Sequence, residues 1–272
     1  MKKIISGKVR EVYDLEDRRM VIVTTDRISA FDVILPTMIT DKGKVLNALS
    51  NFWFDLTKDI TKNHMISSDL KDMPAEFQKP EYEGRTILVK KLKMIPYEVI
   101  VRGYMFGSMY EAYKKGEPFL GHSFDKKYEQ AEKLDEPIVT PSTKAAEGHD
   151  INVTLDYMKK DLGEELGSKI EKTALAIYKK CYEHAAKNGI IIADTKFEFG
   201  LDENGDLIIS IQQKPTSSVH PTIHTLEVNA GHVVGPAGYV LTEQDKTDIA
   251  NIVLQSFTSS TSTEEENSSL NP

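Results

Sequence analysis

The segment over 190–200, Ile-Ile-Ile-Ala-Asp-Thr-Lys-Phe-Glu-Phe-Gly, sets three charged side chains at alternate positions of what reads as a β-strand. Side chains alternate across a strand, so Asp194, Lys196 and Glu198 share one face while Ala193, Thr195, Phe197 and Phe199 share the other. Three apolar residues lead in, and Asn204-Gly205 marks a hairpin turn just beyond. A strand so placed is internal, and its charged face has to meet something polar. Two readings stand: an amphipathic strand with a solvated outer face, or a site where a lysine touches phosphate and carboxylates hold a divalent cation.

The 272 residues suffice for one large core or two modest ones, and 40% hydrophobic with 28% charged residues is ordinary for a globular protein. Forty-two acidic against 34 basic residues give a net charge of -8 with no basic block, which argues against nucleic acid as a partner. A single cysteine, Cys181, excludes an intrachain disulfide and fits a reducing compartment. It falls on the apolar stripe of a predicted helix and is read as core, not as a nucleophile. The start, Met1-Lys2-Lys3-Ile4-Ile5, has only two apolar residues before Ser6 and Gly7, too few for a signal peptide or a membrane span. The expected compartment is cytoplasmic.

Strands are predicted over 8–13, 20–24 and 86–92, where β-branched or alternating residues lie between polar breaks. Helices are predicted over 43–56, with Leu46, Leu49, Trp53 and Leu56 inward, from Gly107, and over 168–187. The last carries Ile170, Ala174, Ile177 and Cys181 on one stripe, Ser168 with Glu171 as its capping box, and Asn188-Gly189 as its stop. Strands first and a mixed second half predict an α+β class with two lobes. The expected division is a β-rich lobe over 1–95, a mixed lobe over 96–257 and a disordered tail over 258–272, rich in Ser, Thr, Glu and Asn.

Four further constellations carry chemistry. In Gly7-Lys8-Val9-Arg10 a glycine lets backbone approach a ligand, and Lys8 and Arg10 share a strand face that suits phosphate, or simply a wet surface. Thr25-Asp26-Arg27-Ile28-Ser29 follows an apolar strand and suits a substrate loop, although an Asp-Arg pair is equally a turn-stabilising ion pair. In the segment over 98–108, Glu98, Ile100 and Arg102 alternate onto one face, so a strand delivers a guanidinium beside the helix start at Gly107-Ser108, a recipe for phosphate or carboxylate. Thr140-Pro141-Ser142-Thr143-Lys144, running on to Gly148-His149-Asp150, offers hydroxyls and an ammonium to an anion, or is a plain surface loop.

In their order and wording these motifs resemble the SAICAR synthetase family, the phosphoribosylaminoimidazole-succinocarboxamide synthases of purine biosynthesis. The runs K-V-R-E-V-Y, T-D-R-I-S-A-F-D, E-V-I-V-R-G-Y, T-P-S-T-K-A and I-I-A-D-T-K-F-E-F-G carry the likeness, over about residues 4 to 209. The resemblance implies a two-lobed α+β fold enclosing ATP, and a ligase that joins L-aspartate to carboxyaminoimidazole ribonucleotide through an acyl phosphate. It implies ATP and Mg2+ as cofactors, while the sequence itself, with its apolar Val233-Val234, leaves a monomer and a homodimer both open.

By the same resemblance Lys8 and Arg10 line the triphosphate, Lys90 to Met94 form the adenine-contacting hinge, and Lys196 reaches phosphate. Glu198 is implied as a magnesium ligand, and Asp194 lies beside the ribose or the metal. Lys196, Glu198 and Asp194 are thus the expected catalytic set. Arg102 and Ser108 are implied to hold the imidazole ribonucleotide, and Asp26, Arg27 and Ser29 to lie near its carboxylate and the aspartate. Lys144, His149 and Asp150 match loops that close over the substrates.

Beyond the hairpin the chain departs from the family. Where the family reads D-E-V-L-T-P-D-S-S-R, this chain, aligned on Pro215, has Ser210 and Ile211 for the two leading acids, Thr216 for the next aspartate and Val219 for the arginine. The alternative from a different class is therefore a non-catalytic nucleotide-binding or interaction protein that keeps the fold.

Overall fold

The computed structural model describes residues 1–7, 9–30, 33–144 and 151–210. Strands β1 (Lys2–Ser6), β2 (Arg10–Asp14) and β3 (Arg19–Thr24) open the chain. A short hairpin follows, β4 (Ser29–Ala30) and β5 (Val33–Ile34), then helix α1 (Lys42–Leu56), the brief strands β6 (Lys62–Asn63) and β7 (Met65–Ser67), and β8 (Thr86–Lys90). The second part comprises β9 (Lys93–Tyr104), α2 (Gly107–Lys114), β10 (Lys133–Thr143), β11 (Ile151–Asn152), α3 (Leu155–Leu162), α4 (Glu164–Lys187), β12 (Asp194–Leu201) and β13 (Leu207–Ser210).

These strands build two main sheets, one ordered β1-β2-β3-β8-β7 and one ordered β11-β10-β9-β12-β13-β6. All their pairings are antiparallel except β13 with β6. The arrangement is the α+β, two-lobed one expected. β3 is apolar on both faces because both are covered: Met20 and Ile22 join the main core, while Val21 and Val23 pack with Leu88, Met73 and Phe77.

α4 lays Ile170, Ala174, Ile177 and Cys181 on the larger sheet among Val99, Val101 and Phe197. Its stop falls at Asn188, the C-cap, as expected. Its start does not: the helix begins at Glu164, and the Ser168 hydroxyl donates to Glu164 Oε1 at 2.8 Å instead of capping the end. Gly163, with φ 88°, is the residue that separates α3 from α4.

Two other expectations need correction. The strand read over 190–200 begins only at Asp194. Ile192 is fully buried, but its carbonyl accepts from the Tyr178 hydroxyl at 2.8 Å, a side-chain bond in place of a ladder bond. In α1 the buried positions are Gly43, Asn47, Trp53 and Phe54, with Leu46 and Leu49 only half-buried. The helix is turned this way because a Cβ on Gly43 would lie 2.5 Å from the Thr24 carbonyl oxygen, and Asn47 Nδ2 donates to the Gly84 carbonyl at 3.0 Å. Among the described residues no helix is long and apolar enough to cross a membrane. The segments over 211–257 and 258–272 lie outside the described residues.

Candidate active site

Register brings the charged strand face to a defined set of neighbours. Residues directly opposite on adjacent strands share a face, and β9 lies between β10 and β12. One row across four strands reads Ser142, Glu98, Glu198, Ser210; the next reads Thr140, Ile100, Lys196; the third reads Ile138, Arg102, Asp194. The first row is sealed, with Glu98 5% and Glu198 1% exposed. The reading of a solvated outer face is therefore set aside.

Two carboxylates directly opposite each other in a buried row repel unless cations attend them. Lys144, one residue beyond β10, places its ammonium against Glu198 Oε1 and 4.0 Å from Glu98 Oε1. Arg10, at the start of β2 in the smaller sheet, adds a buried guanidinium that feels the Glu198 charge. Burial pushes its pKa down to about 10, against the raising pull of Glu198. The cationic Arg10 side chain thus carries a charge of the smaller sheet to the floor of the larger one.

At the other end of the face Arg102 is held from three sides. Its Nε donates to Thr140 Oγ1 at 3.1 Å, its Nη1 lies 3.6 Å from Asp194 Oδ2, and its guanidinium stands 5.5 Å from the centre of the Phe119 ring. Burial lowers its pKa and the Asp194 charge opposes that shift. Between these two ends sits Lys196, half-buried. Among the described residues it makes no hydrogen bond and no ion pair. A half-buried ammonium without a protein partner is an open invitation to an anion.

The other expected site residues fall as follows. Asp26 is taken up inside the lobe: it pairs with both ends of the Arg85 guanidinium, at 3.0 and 3.1 Å, and accepts the Gly43 N–H at 2.8 Å. Arg27 pairs with Glu11 at 3.2 Å and donates to the Gly7 carbonyl at 2.8 Å. Both residues of this Asp-Arg doublet therefore tie elements together, but to other partners than each other. Ser29 lies in β4 opposite Ile34. Ser108 is exposed in the first turn of α2.

Lys90 is exposed and Met94 half-buried on either side of the step from β8 to β9, and Ser210 Oγ lies 3.7 Å from Met94 Sδ. A cleft of about 590 Å³ opens beside this step, lined by Lys90, Lys91 and Lys93 and by Arg18 and Glu203, which form an ion pair at 2.5 Å. Lys8, His149 and Asp150 lie outside the described residues.

Sequence reasoning passed over two participants. Glu98 was visible as an acid in a β-branched strand, sharing a face with Arg102, yet only strand pairing sets it against Glu198. Arg85 gave no local signal, because its partner Asp26 is distant in sequence.

Two sheets meeting at such a face, with an ammonium that has no partner among the described residues, paired carboxylates and a clamped guanidinium, make an α+β protein with a charged site suited to anions. The sequence profile of the SAICAR synthetase family matches residues 3–218. The chain belongs to the SAICAR synthetase family. It is 51% identical over 214 residues to a phosphoribosylaminoimidazole-succinocarboxamide synthase of Lachnospira eligens, covering 76% of this chain and 72% of that one. Among solved structures, a SAICAR synthase from Saccharomyces cerevisiae complexed with SAICAR superposes with a TM-score of 0.74 at 30% identity, covering 94% of this chain and 93% of that one. A SAICAR synthetase in complex with ADP gives a TM-score of 0.60 at 29% identity, over 78% of this chain and 80% of that one. These relatives favour an ATP-dependent ligase of purine biosynthesis over a non-catalytic reading.

Proposed function

We propose that the chain joins L-aspartate to carboxyaminoimidazole ribonucleotide at the expense of ATP, giving SAICAR, ADP and phosphate, in the cytoplasm. The observation that carries this reading is the ammonium of Lys196, which has no partner among the described residues and lies in the row between the carboxylate pair and the Arg102 clamp. A carboxylate is a poor electrophile until it is phosphorylated. Charge then gathers on the transferring phosphoryl oxygens, which calls for fixed cations more than for a covalent side-chain nucleophile. Lys196 is placed to take one such oxygen, and its strand position costs no reorganisation when charge develops. Arg102, already oriented by Thr140 and Asp194, serves the ribonucleotide together with Ser108 from the first turn of α2.

The donor set fits Mg2+. Glu98 and Glu198 supply two hard oxygen ligands in register, and magnesium at nucleotide sites is commonly held by one or two carboxylates with water and phosphate completing its shell. Among the described residues no third His, Cys, Asp or Glu converges there. Asp194, the other acid expected at the metal, has its carboxylate turned to Arg102. When bound, the metal supplies charge neutralisation between phosphates. The protein's share is to bury the carboxylate pair and keep Lys196 aimed.

The experiment is a coupled assay of ADP release with ATP, magnesium, L-aspartate and carboxyaminoimidazole ribonucleotide, omitting each in turn. ADP formation that needs all of them is expected. ATP binding by thermal shift without such turnover would replace the ligase by a nucleotide-binding protein.

A further inference from the structure

Lys144 makes its contacts through the very oxygens a metal would use. Its ammonium touches Oε1 of Glu198 and stands 4.0 Å from Oε1 of Glu98. Its side chain is only 13% exposed, so the contact is not a casual surface pair. A magnesium ion needs carboxylate oxygens at roughly 2.0–2.1 Å, in a tight octahedral shell with no room for an ammonium on the same atoms. Two cations sharing one pair of oxygens would also repel strongly in so buried a setting.

The backbone shows which partner yields. The Lys144 N–H is fixed to the Pro96 carbonyl at 3.0 Å, and the preceding residue ends β10. Glu98 and Glu198 sit mid-strand in a buried row, their backbones fixed by strand pairing and their side chains enclosed. Lys144 has a four-carbon stem with free torsions beyond the last residue of the strand, so its head can move while its Cα stays.

We propose that Lys144 is the resident counter-cation of the Glu98–Glu198 pair and trades places with the divalent cation, holding the carboxylates together in the resting enzyme and swinging out as the metal enters. The inference rests on the metal reading above. The exchange makes the displaced ammonium available on the face that carries Lys196, so that arrival of the metal with its nucleotide adds a second cation for the anionic substrate. Metal–nucleotide binding then precedes productive binding of the ribonucleotide.

The test uses the full chain stripped with EDTA and titrated with Mn2+, free metal being read by electron paramagnetic resonance, with and without ADP. Lys144→Met should bind Mn2+ at least tenfold more tightly than the wild type, because the Lys144 ammonium no longer has to be displaced. Lys144→Arg should return to wild-type affinity, and Glu198→Gln should lose the site. In EDTA, Lys144→Met should melt below the wild type, and Mn2+ should restore it. Equal or weaker Mn2+ affinity in Lys144→Met, with wild-type binding intact and dependent on Glu198, overturns the exchange and leaves the metal reading standing. Mn2+ binding that survives Glu198→Gln, or no binding by any form even with ADP, overturns the metal reading and the exchange with it.

Discussion

Gly103 and Tyr178 approach so closely that a Cβ on the glycine would lie 1.9 Å from the tyrosine hydroxyl oxygen. That hydroxyl donates to the Ile192 carbonyl, and the Gly103 N–H donates to the Ala193 carbonyl at 2.9 Å. The contact therefore fixes where β12 begins, and with it the facing of Asp194 on Arg102. Gly103→Ala should cost about 2–4 kcal/mol, because neither the backbone nor the buried ring can give way. Tyr178→Phe keeps the ring and loses only the hydrogen bond, for roughly 1 kcal/mol. Urea unfolding of the two variants checks the order; equal losses would mean that the close approach does not matter.

Lys196→Ala removes a side chain with no partner among the described residues, so the fold has little to lose by it. Its melting temperature should stay within about 2 °C of the wild type while kcat falls on the order of a thousandfold, as when a positioned transition-state cation is deleted. Turnover at the wild-type rate in this variant would remove Lys196 from the site.

Asp26→Asn separates a structural role from a substrate role. Its carboxylate shares a largely buried, two-point contact with Arg85 and also accepts from Gly43. Loss of the charge should destabilise the protein by about 1–3 kcal/mol, since Arg85 then keeps only the longer contact of 3.7 Å to the exposed Asp41 carboxylate. A raised KM with unchanged stability would instead assign Asp26 to the substrate.

His64 is fully buried, and burial first, then the neighbouring Arg10 charge, hold its pKa down to about 3. In the unfolded chain the imidazole takes up a proton below its ordinary value of 6.5. Between these two values the unfolded state binds the extra proton. Stability from this group is therefore complete above pH 6.5 and is lost as the pH falls, at up to about 1.4 kcal/mol per pH unit. His64→Gln should flatten that part of the acid limb in pH-dependent denaturation. An unchanged slope would show that other groups set it.

Cys181 is buried on α4, and desolvation pushes its thiol up to about 12. As the chain's one cysteine, it should be silent to dithionitrobenzoate in the native protein and titrate as one thiol in denaturant. Rapid labelling under native conditions would mean that α4 lifts from the sheet.

The parts of the fold legible in the sequence were those written in local period. The apolar runs of β3 and β8, the alternation of β12 and the helical stripe of α4 each mark what is buried without knowledge of what covers it. Asp194, Lys196 and Glu198 could be placed on one side for the same reason. What covers that side was not legible, because Glu98 and Lys144 reach it through strand pairing over distances in sequence that no local pattern records. The start of α4 was misplaced since Ser168 and Glu171 make an acceptable cap on paper, whereas Gly163, with its positive φ, breaks the chain in fact. The Asp26-Arg27 doublet suggested one ion pair and the structure makes two, each with a partner the sequence kept far away.

The chain steps from the larger sheet to the smaller at His64, between β6 and β7, and steps back at 91–92, between β8 and β9. The Lys90 N–H binds the His64 carbonyl at 2.8 Å, so the two steps lie side by side. The segment that runs from β3 through α1 to β6 makes a third crossing, so the two sheets are tied by three passages of the chain, two of them bonded to each other. A sheet laced to its neighbour three times cannot change its angle through one loop alone, and Arg10 keeps its place near the Glu198 charge by the same lacing.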